Sequence, residues 1–320
     1  MKKNNHINAM EINISANNGG HVMTATAMNI GQFAELIKAS METRLGEGYN
    51  IKIEKITKNN GLILTGIIVK EAGMNIAPAI YVDQAYEEYL SGADFYKIVD
   101  GMLISYKSNR IPPFDAGFIM DYTTIKDQIC FKLINTERNQ NKLEKIPSIP
   151  LMDLSIVFFI ILSQDGGSRA SVLITNQMAK TWDVGVNDLY AIAKINSNRM
   201  LPAEVAPLSE ILAGLLCGTE DAVPEEEALY VASNNLRIDG AAVMLYEGFL
   251  ESFAKRIGSN FYIIPSSVHE LLFLPDTLGM DEEYLRNTIC EVNSNVVSPE
   301  DVLSGNLYYY NGTIKTVELV

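Results

Sequence analysis

The chain has 320 residues, 48% of them hydrophobic, with 25 Lys and Arg against 39 Asp and Glu and a formal net charge of −14. That supplies one large or two ordinary globular cores, and the acidic balance disfavours general DNA or RNA binding, which needs clustered cations to displace counterions from phosphates. The longest apolar run, Leu154 to Leu162, is about half the ~20 residues of a membrane-spanning helix, so no span is expected.

In chain order, residues 1–28 are rich in Asn, Gly and Thr without a sustained period and read as a disordered tail. Lys2 and Lys3 resemble the start of a signal peptide, but the polar residues after them interrupt any apolar core. Asn29 then has the chemistry of an N-cap, Phe33, Leu36, Ile37, Met41 and Leu45 share one helical face, and Gly46 is suited to ending the helix. Ile51 and Ile53, the turn Asn59-Asn60-Gly61 and the β-branched stretch Leu62 to Val69 predict a hairpin, followed by a strand over Ile76 to Val82. A helix carrying Phe95, Ile98, Val99, Met102 and Tyr106 is expected to end before Pro112 and Pro113.

The polar, proline-punctuated segment 136–150 reads as a connection between an N-terminal α+β lobe, residues 29–135, and an acidic C-terminal α+β lobe, residues 151–320. Beyond it the periodicity predicts strands at 153–162 and 170–175, paired across a Gly166-Gly167 turn, then helices from Asn176, Val186 and Pro207. Tyr230 to Ala232 and Ala242 to Tyr246 read as strands, and Phe249 to Ile257 as a helix closed by Gly258. Short strands at 261–264 and 271–274, a helix at 281–293 and a final hairpin complete an α+β fold with mixed, largely antiparallel sheets and flanking helices.

Charge divides along the chain. Residues 1–150 hold 16 basic and 16 acidic side chains, and residues 151–320 hold 9 against 23. Acidic surface serves solubility before it serves docking. Cys130, Cys217 and Cys290 are widely spaced and form no C-x-x-C, so neither a disulfide framework nor a zinc site is expected, and the protein reads as cytoplasmic.

Several segments, Thr57-Lys-Asn-Asn-Gly-Leu62, Phe131-Lys-Leu-Ile-Asn135, Ile149-Pro-Leu-Met-Asp-Leu-Ser-Ile-Val-Phe158, Leu201-Pro-Ala-Glu204 and Phe261 to Glu270, occur in an order that resembles one family. It is the domain-of-unknown-function family 5688, uncharacterised proteins mainly of gut clostridia, and the resemblance spans roughly residues 29–312. It implies a bacterial protein and names no activity.

The densest chemical cluster is Ser266-Ser267-Val268-His269-Glu270, and His269 is the one histidine outside the tail. Serine, histidine and carboxylate are the residue types of nucleophilic hydrolysis, so Ser266, Ser267, His269 and Glu270 form a candidate catalytic set. Triads are assembled from separate segments, however, and Ser267 with Glu270 matches the S-x-x-E capping box; the structural account is preferred. Asp153, opening an apolar strand, is the other candidate polar site, and pairing or capping explains it better than catalysis. The clusters Glu225–Glu227 and Asp281–Glu283 lack metal-ligand spacing, and neither Gly-Gly pair continues into a phosphate-binding loop. No metal or cofactor is therefore expected. A non-catalytic binding or regulatory protein, meeting a protein or small-molecule partner, is the leading reading; a Ser/His hydrolase or transferase is the alternative.

Overall fold

Helix α1 (Ile30–Leu45) starts where Asn29 can close a capping box: its Oδ1 accepts from the Gln32 amide at 3.0 Å, and Gln32 Oε1 accepts from the Asn29 amide at 2.9 Å. The structure, a computed structural model, describes residues 28–73, 77, 79–108, 116–165, 168–216 and 229–320. The expected tail, the Gly166-Gly167 turn, Cys217 and Glu225–Glu227 lie outside the described residues, apart from Met28. By its contacts the chain forms two compact units, residues 1–57 with 63–116 and residues 58–62 with 117–320.

In the first unit the predicted hairpin is present: β1 (Tyr49–Thr57) and β2 (Ile63–Glu71) pair antiparallel, and β3 (Ala79–Tyr81) adds to β2. The sequence reading missed α2 (Asp83–Leu90), which precedes α3 (Phe95–Ser108). The stripe Phe33, Ala34, Ile37 and Met41 of α1 packs with Ile51, Ile67, Val69, Val99 and Met102 into one core. The Phe33 ring lies 5.1 Å from Tyr89 and 6.1 Å from Phe95, the latter edge-on.

Beyond residues 58–62, the second unit takes in short α4 (Ala116–Met120) from its second residue on, α5 (Tyr122–Ile125), β4 (Ile129–Asn135), α6 (Gln140–Leu143), β5 (Ser148–Leu151), β6 (Leu154–Asp165) and β7 (Ser168–Leu173). β4 pairs with β6 along its whole length, from Ile129↔Ile160 to Asn135↔Leu154, and β5 and β7 also pair with β6. The expectation that β6 and β7 are adjacent antiparallel neighbours holds. The expected boundary at 136–150 does not: that segment joins two strands of one sheet inside the second unit. Its polarity marks a surface connection, which every domain has, rather than a change of domain.

A six-stranded sheet, ordered β13-β12-β10-β11-β9-β8, completes this unit from β8 (Ala203–Pro207), β9 (Tyr230–Asn234), β10 (Phe261–Ile264), β11 (Leu271–Pro275), β12 (Tyr308–Asn311) and β13 (Thr316–Leu319). Five helices accompany the strands: α7 (Asn176–Trp182), α8 (Val186–Met200), α9 (Leu208–Leu216), α10 (Phe249–Ile257) and α11 (Glu282–Asn295). α8 is fastened to β4 through Ser197 Oγ, which accepts from the Phe131 amide at 3.1 Å. Of residues 242–246, read as a strand, 242–245 belong instead to a 3-10 helix over Gly240–Leu245, and Tyr246 follows it. Every strand pairing among the described residues is antiparallel, and the fold is α+β. Among these residues no helix is long and apolar enough to cross a membrane.

Candidate functional site

Strand β4 reads Ile-Cys-Phe-Lys-Leu-Ile-Asn, and Lys132 is its one incompletely buried residue. Because side chains alternate along a strand, Lys132 and Ile134 share a face, as do Val157 and Phe159 on β6 and Ser171 and Leu173 on β7. All six line a cavity of about 500 Å³ within the second unit. Lys58, Asn59, Lys142, Asp239, Val268, His269, Glu300 and Asp301 line the rest.

Asp239 is brought there by the loop after β9. Asn234 Oδ1 accepts from the Leu236 amide at 3.0 Å while its Nδ2 donates to the Ile238 carbonyl at 2.8 Å, and Asp239 sits in the left-handed region at φ 53°. The Asp239 carboxylate pairs with Arg169 and, at 3.3 Å, with Lys132. Burial opposes its charge, yet Lys132 and Arg169 hold the carboxyl below the usual range. The Arg169 guanidinium in turn stacks 4.4 Å from the centroid of Phe159.

His269 is held at both ring nitrogens. Nδ1 accepts from the Asp239 amide at 3.1 Å, which leaves the ring proton on Nε2, 3.2 Å from Asp301 Oδ1. Its backbone carbonyl accepts from Ser233 Oγ at 2.7 Å. Ser267 touches His269 through the main chain: its Oγ accepts from the His269 amide at 3.1 Å, and its own amide donates to the Glu270 carbonyl at 3.2 Å. The hydroxyl thus caps an amide two residues on, in a turn between two strands, and not the Glu270 amide of a helical capping box. The Ser266 amide donates to the Ile264 carbonyl at 2.9 Å. Among the described residues neither serine hydroxyl is a partner of the imidazole, so sequence neighbours are not brought together as nucleophile and base.

The lysines differ from one another in their partners. Lys58 pairs with Glu300 at 3.4 Å and Lys132 with Asp239. Lys142 donates to the Lys58 carbonyl at 3.0 Å and forms no ion pair among the described residues. Burial first, then Lys132 and Lys58 nearby, bring its pKa down to about 8 against a smaller upward pull from Glu300. Residues 58–62 are fixed by Asn60, whose Nδ2 donates to the Val302 carbonyl at 2.7 Å and whose amide donates to Asn139 Oδ1 at 3.0 Å. The cleft therefore sets three lysines against three lining carboxylates, Asp239, Glu300 and Asp301, and its cationic corner is the side of Lys142, which has no ion pair among the described residues; beside an apolar wall, that corner suits an anion carrying some apolar surface.

Asp153 lies elsewhere, in the turn between β5 and β6. It accepts from Ser304 Oγ at 2.6 Å and from the Tyr308 hydroxyl at 2.7 Å, so its partners are hydroxyls and not the amide or basic group expected. Burial pushes the Tyr308 phenol up, which keeps it a proton donor. Of the cleft residues, Lys132 had a sequence signal, a charge inside an apolar strand; Lys58, Lys142, Asp239 and Asp301 had none. Among the described residues no group of three or more His, Cys, Asp or Glu is placed to hold a metal ion.

Residues 30–312 match the model of a family described as a family of unknown function, DUF5688. No curated protein and no solved structure matches the chain.

Proposed function

Because this chain belongs to DUF5688, whose description carries no activity, we propose from the cleft itself that it is a non-catalytic binding protein for a small anionic molecule. The observation that supports this is Lys142, a lysine facing a cavity of about 500 Å³ with two other lysines beside it and no ion-pair partner of its own among the described residues. An entering carboxylate or phosphate adds an ion-pair partner to the partial attraction of Glu300 and relieves the repulsion that Lys58 and Lys132 exert on Lys142. We take the setting to be the bacterial cytoplasm, following the family resemblance and the cysteine spacing, and we expect no nucleic-acid partner.

Thermal melts at constant ionic strength, with malonate, citrate and phosphate against a chloride control, test the reading. A ligand at a hundredfold excess over its Kd stabilises by about 2.7 kcal/mol, so at least one anion is expected to raise Tm, and Lys142→Met to abolish most of that rise. No anion-specific rise would sink the reading. In the same series Ser267→Ala is expected to cost about 0.5–1.5 kcal/mol through the lost amide acceptor and to leave the anion response intact; a Ser/His enzyme would instead tolerate the change in stability.

A further inference from the structure

We propose that Lys142 captures small carboxylates bearing a carbonyl, of the 2-oxo acid or aldehyde-acid class, as a reversible imine inside the cleft. The proposal rests on the anion-binding reading and goes on to the chemistry of one amine. Lys58 and Lys132 each have a carboxylate partner, Glu300 at 3.4 Å and Asp239 at 3.3 Å. Among the described residues Lys142 has no ion pair and donates to the Lys58 carbonyl, at 3.0 Å. If Lys142 gives up its proton, no ion pair among the described residues is broken and two neighbouring cations lose a repulsive one, at the cost of the weaker attraction of Glu300. The lining of Val157, Phe159 and Leu173 adds a wall of low polarity. Desolvation and a neighbouring cation are the two general means by which proteins turn a lysine into a nucleophile.

Lys142 has both. With its pKa brought down to about 8, on the order of a tenth of the molecules hold a free amine at neutral pH, against fewer than about one in a thousand for an ordinary lysine. The amine lone pair attacks the carbonyl carbon, a C–N bond forms, and the C–O π pair moves to oxygen, which takes up a proton. The carbinolamine then expels that oxygen as water as the C=N bond forms. In the balance, amine and carbonyl give imine and one water, whose two hydrogens are those the amine nitrogen loses. No oxidant or reductant takes part. Lys58 and Lys132 remain as ammonium groups for the ligand's carboxylate.

The test uses the full chain with glyoxylate and cyanoborohydride, which reduces an imine to a stable secondary amine, followed by peptide mass spectrometry. Lys142 is expected to be modified about tenfold faster than Lys255 at pH 7.5, its larger amine fraction being offset in part by lower basicity. Lys255 is the surface reference: its side chain is 74% exposed and is paired with Glu251 at 2.7 Å, outside the cleft. The free-amine fraction of Lys142 should climb steeply from pH 7 and approach its limit above its pKa of about 8, and its labelling, corrected for the reductant's own pH dependence, should follow. Malonate, which has two carboxylates and no carbonyl able to form an imine, should slow labelling of Lys142 and leave Lys255 unaffected. Labelling of Lys142 no faster than Lys255, in a protein whose Tm malonate raises, overturns the imine alone. Fast labelling that malonate does not slow overturns the role given to the cationic corner. Absence of any anion-dependent Tm rise removes the reading on which both stand.

Discussion

Lys142 carries an electrostatic penalty whose sign can be worked out. Its folded-state pKa, about 8, lies below the ordinary value of 10.5, so the folded chain binds this proton more weakly than the unfolded chain. The resulting loss of stability is present in full below about pH 8 and fades as the pH rises from there to 10.5. The side chain is partly exposed, and solvent screening reduces the penalty to about 1 kcal/mol. Lys142→Met is therefore expected to be about 1 kcal/mol more stable than wild type in urea melts at pH 7, with the difference closing by pH 10.5; a gap that widens with pH would contradict this. His269 shows the opposite kind of residue, one fully engaged by its surroundings. With Nδ1 taken by the Asp239 amide and Nε2 by Asp301, the ring acts as a brace between two loops.

Among the elements, the 3-10 helix over Gly240–Leu245 matters most to the cleft, because it follows directly on Asp239. Gly240 is required for its size rather than its backbone angle. A Cβ there would collide with Ser233 Oγ and the His269 carbonyl and stand 2.8 Å from the Asn234 amide nitrogen, and two of those three atoms belong to backbone that is already hydrogen-bonded. Gly240→Ala should cost about 1–3 kcal/mol by overpacking and weaken the anion response, since Asp239 and His269 must shift to accommodate it. Retained affinity at lowered stability would show that the cleft does not depend on this contact. Helix α8 does comparable work on the other side of β4: Asn196 Nδ2 donates to the carbonyls of Lys126 and Ile129, at 2.8 and 2.9 Å, and so sets where β4, and with it Lys132, begins.

At the scale of the whole molecule, charge and connectivity act together. Residues 151–320 by themselves carry 9 basic against 23 acidic side chains, but the second unit also takes in residues 58–62 and 117–150, which bring Lys58, Lys132 and Lys142 to its cleft. A local cationic corner is thereby set in a chain of net charge −14. Such a corner attracts small anions, whereas a polyanionic duplex meets the repulsion of the whole surface. Titration with a generic DNA duplex is expected to give no submicromolar binding at physiological salt. Salt-sensitive binding in that range would mean the field around the cleft reaches much further than the local lysines imply.

Much of the fold was legible in the chain because its signals are local. Asn29 and Gly46 bracket α1, Asp281 caps α11 by accepting from the Tyr284 amide at 2.8 Å, Gly258 ends α10, and alternation marks β1, β2 and β6, since capping and periodicity are decided within one or two turns of chain. Where the local signal was short or ambiguous it misled. Eight residues of α2 and five of β8 carry too few periods to stand out, and the apolar run at 242–246 suits a strand as well as a helix until Gly240 packs against Ser233. The candidate site was the least legible part. His269 is conspicuous as a residue, but its partners are 30 and 32 positions away, Lys132 meets Asp239 across 107 positions, and Asp153 meets Tyr308 across 155. The sequence by itself determined the longer elements, several of their caps and the charge of each half. Only the tertiary structure decided which charges meet and which cleft lysine has no ion pair among the described residues, because electrostatic pairing depends on distance in space, and strand pairing brings together residues that no local pattern connects.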